Sequence, residues 1–387
     1  MAAPELDAVI AGGGLSGLSL AAHLAAGPWR DRTVLMVDDE TPAREPASGW
    51  GYWTGGAGLL DAAAVRSYTR VRVFAGGAGG VVPLGSYRYR VLRRTDLQRL
   101  VRSVMGGCPG FAFRHGRVES VRTRDGQAEV VVDGRAYRAS WAFDSVTPPP
   151  PGPPPDGHLA FAGWEVRCAE PRWDPDTPVL FDFRVPQAGR SRFAYILPAE
   201  PDRALVELTE FTGRHTTPST VDDLRAALAA YLRPTGRYEI LRVESAVLPL
   251  RAAPAPRRSG HVLRIGARGG LLKATTGYGY QRIQRDSAAV AASLARHGHP
   301  FALPRARRRH RLLDAILLEV LDRDPAQLEL AFRQLFLAGP AERVLRFLDE
   351  RTRLVDEVRL AATLPPGPYL RATPAVLAAL PPRDLRP

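Results

Sequence analysis

Glu207 sits in an otherwise apolar run, Ala204-Leu205-Val206-Glu207-Leu208-Thr209. A carboxyl in apolar surroundings keeps its proton toward neutral pH, because desolvation penalises the ionised form, and a proton held that way suits a general acid. Alternation along a strand equally allows Glu207 to face outward, so the run by itself leaves both readings open. Glu210 follows three positions later, on the opposite face of an ideal strand, and shares a site with Glu207 only where the strand ends or bulges between them. Its two readings are a proton relay and a surface charge. Asp182, between Phe181 and Phe183, is a third acid in apolar company, catalytic or else a structural partner of Arg184 or Arg192.

A second chemistry is written near the start of the chain. Asp7–Gly17 reads DAVIAGGGLSG, an apolar run followed by Gly12, Gly14 and Gly17 in G-x-G-x-x-G spacing. The first glycine permits a tight turn, the second lets backbone approach a diphosphate, and the third lets helix pack on strand. A helix expected over Leu15–Leu24 directs its first N–H groups at the phosphates. The strand Thr33–Val37 then ends in Asp38, about twenty residues after Gly17, where a carboxylate accepts both hydroxyls of an adenosine ribose. Strand, helix, strand and acid in that order predict a dinucleotide-binding unit.

These groups need elements to hold them. The turn-rich stretch Glu45–Gly58 contains SGWGYWTGG, and Arg88–Met105 carries a helical pattern with Leu97, Leu100, Val101 and Val104 on one face. Strands at Val118–Arg122 and Ala128–Val132 flank Asp125-Gly126 as a hairpin turn, and Ala136–Val146 closes a first lobe. The proline block Pro148–Pro155 reads as a crossover. Strands at Val179–Arg184, Phe193–Pro198 and Ala204–Thr209, with a helix at Val221–Leu232, predict an antiparallel sheet. His261–Ile265 leads into a Gly-rich segment whose helix returns the chain to the first lobe, and Leu and Ala recur at helical spacing from Arg309 onward. The expected fold class is α/β. A Rossmann-type lobe over residues 1–147 is completed by 256–300, an antiparallel-sheet substrate lobe covers 156–255, and a helical C-terminal cap covers 301–387.

With 387 residues the chain can bury the cores of two lobes, and its hydrophobic fraction of 45% is ordinary for a globular protein. The formal charge of +13 comes from basic residues scattered through every segment, which argues against a nucleic-acid partner. Of 53 basic residues all but Lys273 are Arg, a coding bias of a GC-rich genome, so the single lysine stands out. Cys108 and Cys168 supply neither a disulfide framework nor a metal cluster and fit a cytoplasmic chain. No leader is read ahead of the first strand, and no segment offers the ~18 uninterrupted apolar residues of a membrane span, so any membrane contact is expected to be peripheral.

The glycine turn, GWGYW, LFDFRVPQ, RFAYILPAEPDRALVELTEFT, IGARGGLLKATTGYGYQRIQ and VLRFLDERTRLVDEVRLAATLPPGPYL together resemble the soluble-type lycopene cyclases over nearly the whole chain. The resemblance implies a flavoprotein hydroxylase-like fold, FAD in its reduced form, NADPH as outside reductant, and an apolar polyene substrate. The ψ end group of that substrate is protonated, closes to a ring through a tertiary cation and loses a proton, with no net redox change. The family's essential glutamate falls on Glu207. Gly12, Gly14, Gly17, Asp38, Gly266 and Gly277 would bind the cofactor, with Arg94 and Asp144 at weaker flavoprotein positions. Lys273, in the late motif, is expected beside the reduced flavin as a compact ammonium; chance survival of one lysine is the other reading. Trp50, Tyr52, Trp53 and Tyr195 offer π faces to the cation, each contributing roughly 0.5–2 kcal/mol, or else serve as core aromatics. The chain departs from the family at Leu208, where an acid or a tyrosine often follows the glutamate. Cyclisation of a shorter isoprenoid, and a flavin monooxygenase or dehydrogenase sharing the glycine turn, are the alternatives.

Overall fold

A computed structural model describes residues 6–39, 49–148, 153–253, 256–305 and 307–379, so residues 45–48 of the aromatic stretch and 149–152 of the proline block lie outside the described residues. The chain opens with β1 (Leu6–Ala11), α1 (Leu15–Ala25) and β2 (Val34–Asp38), followed by β3 (Gly49–Thr54), β4 (Ala64–Tyr68), β5 (Arg70–Ala75), β6 (Ala78–Pro83), β7 (Arg88–Arg93) and α2 (Arg94–Gly106). Next come β8 (Phe111–His115), β9 (Val118–Arg124), β10 (Gln127–Val132) and β11 (Arg135–Asp144). The middle third holds β12 (Gly157–Cys168), β13 (Val179–Asp182), β14 (Ser191–Glu200), β15 (Arg203–Gly213), α3 (Val221–Leu232) and β16 (Tyr238–Leu250). After β17 (Arg258–Ser259) and β18 (Val262–Arg264) the chain is helical: α4 (Tyr280–His297), α5 (Arg308–Arg323), α6 (Gln327–Phe332), α7 (Ala341–Leu348), α8 (Leu354–Ala361) and α9 (Pro366–Ala379).

The first sheet has a parallel centre ordered β18-β11-β1-β2-β8. Its inner strands, LDAVIA and VLMVD, are apolar almost throughout because both faces are covered. Ile10, Met36 and Phe143 pack under α1, α2 and α4, while Val9, Val37 and Ala142 pack against Ala128, Val130 and Val132 of β10. The β9–β10 hairpin turns on Asp125 and Gly126, both at positive φ, as the Asp-Gly pair predicts.

The second sheet is ordered β16-β12-β15-β14-β13-β5-β6 and is antiparallel except where β13 meets β5. Period-2 alternation gives it two distinct faces. Ala160, Ala162, Ala194, Val206 and Leu208 pack against Leu224, Leu228 and Leu232 of α3, a helix fixed at its start by a reciprocal Thr220–Asp223 capping box. The opposite face looks toward the first sheet. Helices α5–α7 close one end through a cluster that joins Phe181 and Phe193 to Phe336 and Leu345.

Two features differ from the sequence reading. Arg88–Arg93 is a strand, not the first turns of a helix: it pairs with β3 on one side and β4 on the other, and this tertiary pairing overrides the helical spacing that resumes at Arg94. The segment from Arg70 to Pro83 joins the second sheet as β5 and β6, so the stretch before the proline block contributes to both sheets.

Candidate functional site

A cavity of about 830 Å³ lies between the two sheets. At one end it is floored by Gly12, Gly14, Leu15, Ser16, Asp38 and Arg94, and at the other it is roofed by side chains of β12, β14, β15 and β16.

The glycine end fits a dinucleotide. Gly12 holds φ +106°, open to glycine but strained for other residues, and a Cβ on Gly17 would stand 1.9 Å from the Gly12 carbonyl oxygen, so α1 sits hard against the turn. A Cβ on Gly14, in contrast, would meet nothing within 4 Å, because the space above it is the cavity. Helix α1 begins there with no side-chain cap and no acid in its first turn, leaving its first N–H groups for an anion. Asp38, at the end of β2, lies against the loop and is ion-paired to Arg94, the first residue of α2. Helix α4 also opens at the cavity through Gly277, Tyr278 and Gly279, again without a side-chain cap or a first-turn acid. Asp144 does not line the cavity: its carboxylate accepts hydrogen bonds from the backbone N–H groups of Val146 (3.0 Å) and Thr147 (2.9 Å), bracing the turn whose Ser145 and Val146 do.

The roof centres on Glu207. One row across the second sheet reads Glu244, Gly163, Glu207, Tyr195, all on the face toward the cavity. Burial, reinforced by the negative charge of Glu244, pushes the Glu207 carboxyl up to about 8, against a hydrogen bond donated by the Thr209 hydroxyl at 3.1 Å. The carboxyl keeps some accessible surface, which faces the cavity, while the protein packed around it desolvates the ionised form. Tyr89, Tyr195 and Tyr278 surround it, with the Tyr89 and Tyr278 hydroxyls 3.3 Å apart, and burial raises all three well above the usual phenol range, so they stay neutral.

The structure does not bring the other two acids here. β15 runs without a bulge from Glu207 to Glu210, so Glu210 points to the α3 side, fully buried, where Arg192 donates at 2.7 Å and the Ser219 hydroxyl at 2.8 Å. Asp182 is on that side too, held by Arg184 (2.7 Å) and the Tyr231 hydroxyl (2.7 Å). Both are structural partners of arginines. Leu208, the departure from the family pattern, also faces α3, so it leaves the cavity wall unchanged.

Of the GWGYW aromatics, Trp50 lines the cavity with Gly49 and Gly51. Tyr52 instead stacks on Tyr280 at 3.6 Å and donates to Asp61, and Trp53 donates from its indole nitrogen to buried Asp349 at 2.7 Å. Lys273 turns away as well: its ammonium is buried between Asp314 (2.7 Å) and Glu350 (3.5 Å), tying the late glycine segment to the helical cap. A compact ammonium suits that enclosed pair, and the positive pole at this end of the cavity is the α4 N-terminus. Gly266, Gly277 and Tyr195 line the cavity. Sequence reasoning missed Glu244, Arg242, Phe161, Tyr89 and Tyr278. Alternation within β16 puts Glu244 and Arg242 on one face, but only the pairing register shows that this face is the cavity's.

Comparisons with known proteins bear on the family and the fold. A family profile described as lycopene cyclase protein matches residues 7–373. A lycopene beta-cyclase of Pantoea ananas is 29% identical over 276 residues, covering 67% of this chain and 68% of the relative. Among solved structures, a geranylgeranyl bacteriochlorophyll reductase-like protein of Thermoplasma acidophilum aligns with a TM-score of 0.62 at 12% identity, covering 96% of this chain and 99% of the other. The flavin-dependent brominase Bmp2 aligns with a TM-score of 0.60 at 16% identity, covering 89% and 93%. At those identities the structures speak for the fold alone, whereas the profile spans nearly the entire sequence: the chain belongs to the lycopene cyclase family.

Proposed function

We propose that this protein closes the ψ end group of a linear carotenoid such as lycopene into an ionone ring, with FAD in its reduced form and NADPH as the outside reductant. The observation that carries the reading is Glu207, a carboxyl favoured in its protonated form on the wall of a cavity whose other end is a dinucleotide cradle. Glu207 gives its proton to the terminal double bond of the end group. A carbon–carbon bond then closes the ring and leaves a tertiary cation, and loss of a ring proton restores an alkene. The carboxylate left on Glu207 is a base on the same wall, so taking up that proton regenerates the acid and the sum is an isomerisation. Trp50, Phe161, Tyr195 and Tyr278 line the cavity and offer π faces to the cation while excluding water. The flavin, when bound and reduced, supplies an electron-rich neighbour for the cation without net electron transfer. Gly12, Gly14, the α1 N-terminus and the Asp38–Arg94 pair would hold its dinucleotide portion.

A cavity of about 830 Å³ is the size of a site for one drug-sized ligand, so beside a flavin it takes in an end group while the rest of a polyene stays outside. The test separates this reading from a monooxygenase or dehydrogenase. With lycopene and catalytic FAD, NADPH oxidation is expected to fall far short of product formed; consumption in step with product would refute the non-redox cycle.

A polyene reaching in from an apolar phase calls for peripheral contact with a bilayer. Among the described residues no helix is long and apolar enough to cross a membrane. Leu354, Val355 and Val358 on α8 and Leu370 on α9 are exposed beside the exposed Arg353, Arg359 and Arg371. The protein is expected to co-sediment with anionic vesicles at low salt and to be released as salt rises. Val358→Asp should weaken partitioning about tenfold, the loss of roughly 1.5 kcal/mol of apolar burial. Absence from the pellet at low salt would mean that substrate arrives another way.

A further inference from the structure

The row Glu244, Gly163, Glu207 has a geometry of its own. The two glutamates stand two strands apart, about 9.5 Å between backbones, with no side chain between them because the intervening position is glycine. A Cβ built on Gly163 would lie 3.1 Å from Glu244 Cγ, 3.3 Å from its Oε1 and 3.5 Å from Glu207 Cβ, so the Glu244 side chain leans over the gap toward the strand that carries Glu207. Arg242, two residues back on the same face, donates to Glu244 Oε2 at 3.1 Å and to Glu165 Oε2 at 3.1 Å, and Glu165 is also paired with Arg203. Arg242 and Glu244 both line the cavity.

We propose that Glu244 is a positioning residue for the acid: anchored by Arg242 and leaning across the gap at Gly163, its carboxylate holds the transferable proton on Glu207. The proposal rests on the reading of Glu207 as the acid, and adds what keeps the acid loaded. The charged and titratable groups facing Glu207 are few. Tyr89 on β7, Tyr195 on β14 and Tyr278 ahead of α4 are neutral, Glu165 on β12 is matched by Arg203, and the positive charge of Arg242 on β16 is shared between Glu165 and Glu244. Glu244 is therefore the one negative charge on the cavity wall set directly against the acid, among the described residues. Burial alone favours the protonated form, so removing Glu244 should lower the affinity of Glu207 for its proton without bringing it to an ordinary carboxylate value.

The test titrates Glu207 directly, without substrate, through the infrared carbonyl band of its protonated carboxyl, assigned by its loss in Glu207→Gln. In the wild type the band should disappear as pH rises through about 8. In Glu244→Gln its midpoint should move to lower pH by about one unit or more, while Glu244→Asp, which keeps the charge, should stay near the wild type. A midpoint unmoved in folded Glu244→Gln, or moved equally in both variants, overturns the proposal. Because the readout needs no turnover, a midpoint that moves as expected supports the pair even if the cyclase reading fails in the assays above.

Discussion

Glu207→Gln is expected to lower cyclisation by about 100- to 10,000-fold, the usual range for loss of a general acid, while flavin binding and flavin reduction persist. The amide keeps size and hydrogen bonding, and Thr209 can still donate to it, so the variant removes the transferable proton and little else. The check is turnover with pre-reduced FAD alongside flavin content by absorbance. Near wild-type turnover would place the proton source on the flavin, on water or on another carboxyl. The same acid sets a pH limit: the protonated form is present below the raised midpoint, so wild-type turnover should fall as pH rises through about 8. Glu210→Gln and Asp182→Asn disturb buried carboxylates paired with arginines, Arg192 buried and Arg184 exposed, on the far face of the sheet, so they should cost stability rather than chemistry.

Gly14→Val is expected to abolish flavin retention and to leave the fold intact. Gly14 has φ −77° and ψ −174°, extended backbone that valine adopts readily, and no protein atom stands within 4 Å of the new Cβ. The branched side chain would fill the space where backbone meets the diphosphate, weakening binding by about 100-fold or more, equivalent to about 3 kcal/mol. Flavin content after gel filtration and the thermal midpoint are the two readouts, and normal flavin content in a folded variant would contradict the cradle assignment. Gly17→Val makes the contrast: its Cβ would strike the Gly12 carbonyl, so there the fold itself should fail.

Much of this was legible in local sequence. The β1–α1–β2 unit is a short-range pattern in which strand, glycine turn, helix and Asp38 follow one another, and it needs no distant partner to be recognised. Helix α3 is bounded as its pattern predicts, and Asp125-Gly126 makes the expected hairpin. Glu207 stood out because an acid in an apolar run is costly. What stayed hidden depends on register and on long-range pairing. Glu244 meets Glu207 only because β16 and β15 flank β12 with Gly163 between them. Lys273 was conspicuous by rarity, yet its partners Asp314 and Glu350 lie far along the chain, and rarity carries no information about them. The aromatic cluster misled for a related reason: three rings within four positions have separate fates once β3 pairs with β7, one toward the cavity and two into core and cap contacts.

A proton-initiated isomerisation is tested most directly by an anaerobic reaction in deuterium oxide with chemically reduced FAD and lycopene, the products identified by mass and absorption spectrum. The Glu207 carboxyl exchanges its proton with solvent between turnovers, so the expected product is cyclic, has exchanged hydrogen for one solvent deuterium per ring and is otherwise unchanged in composition, and it forms while the flavin ends as reduced as it began. A product that gains oxygen or a pair of hydrogens, or flavin oxidised in step with product, would contradict it.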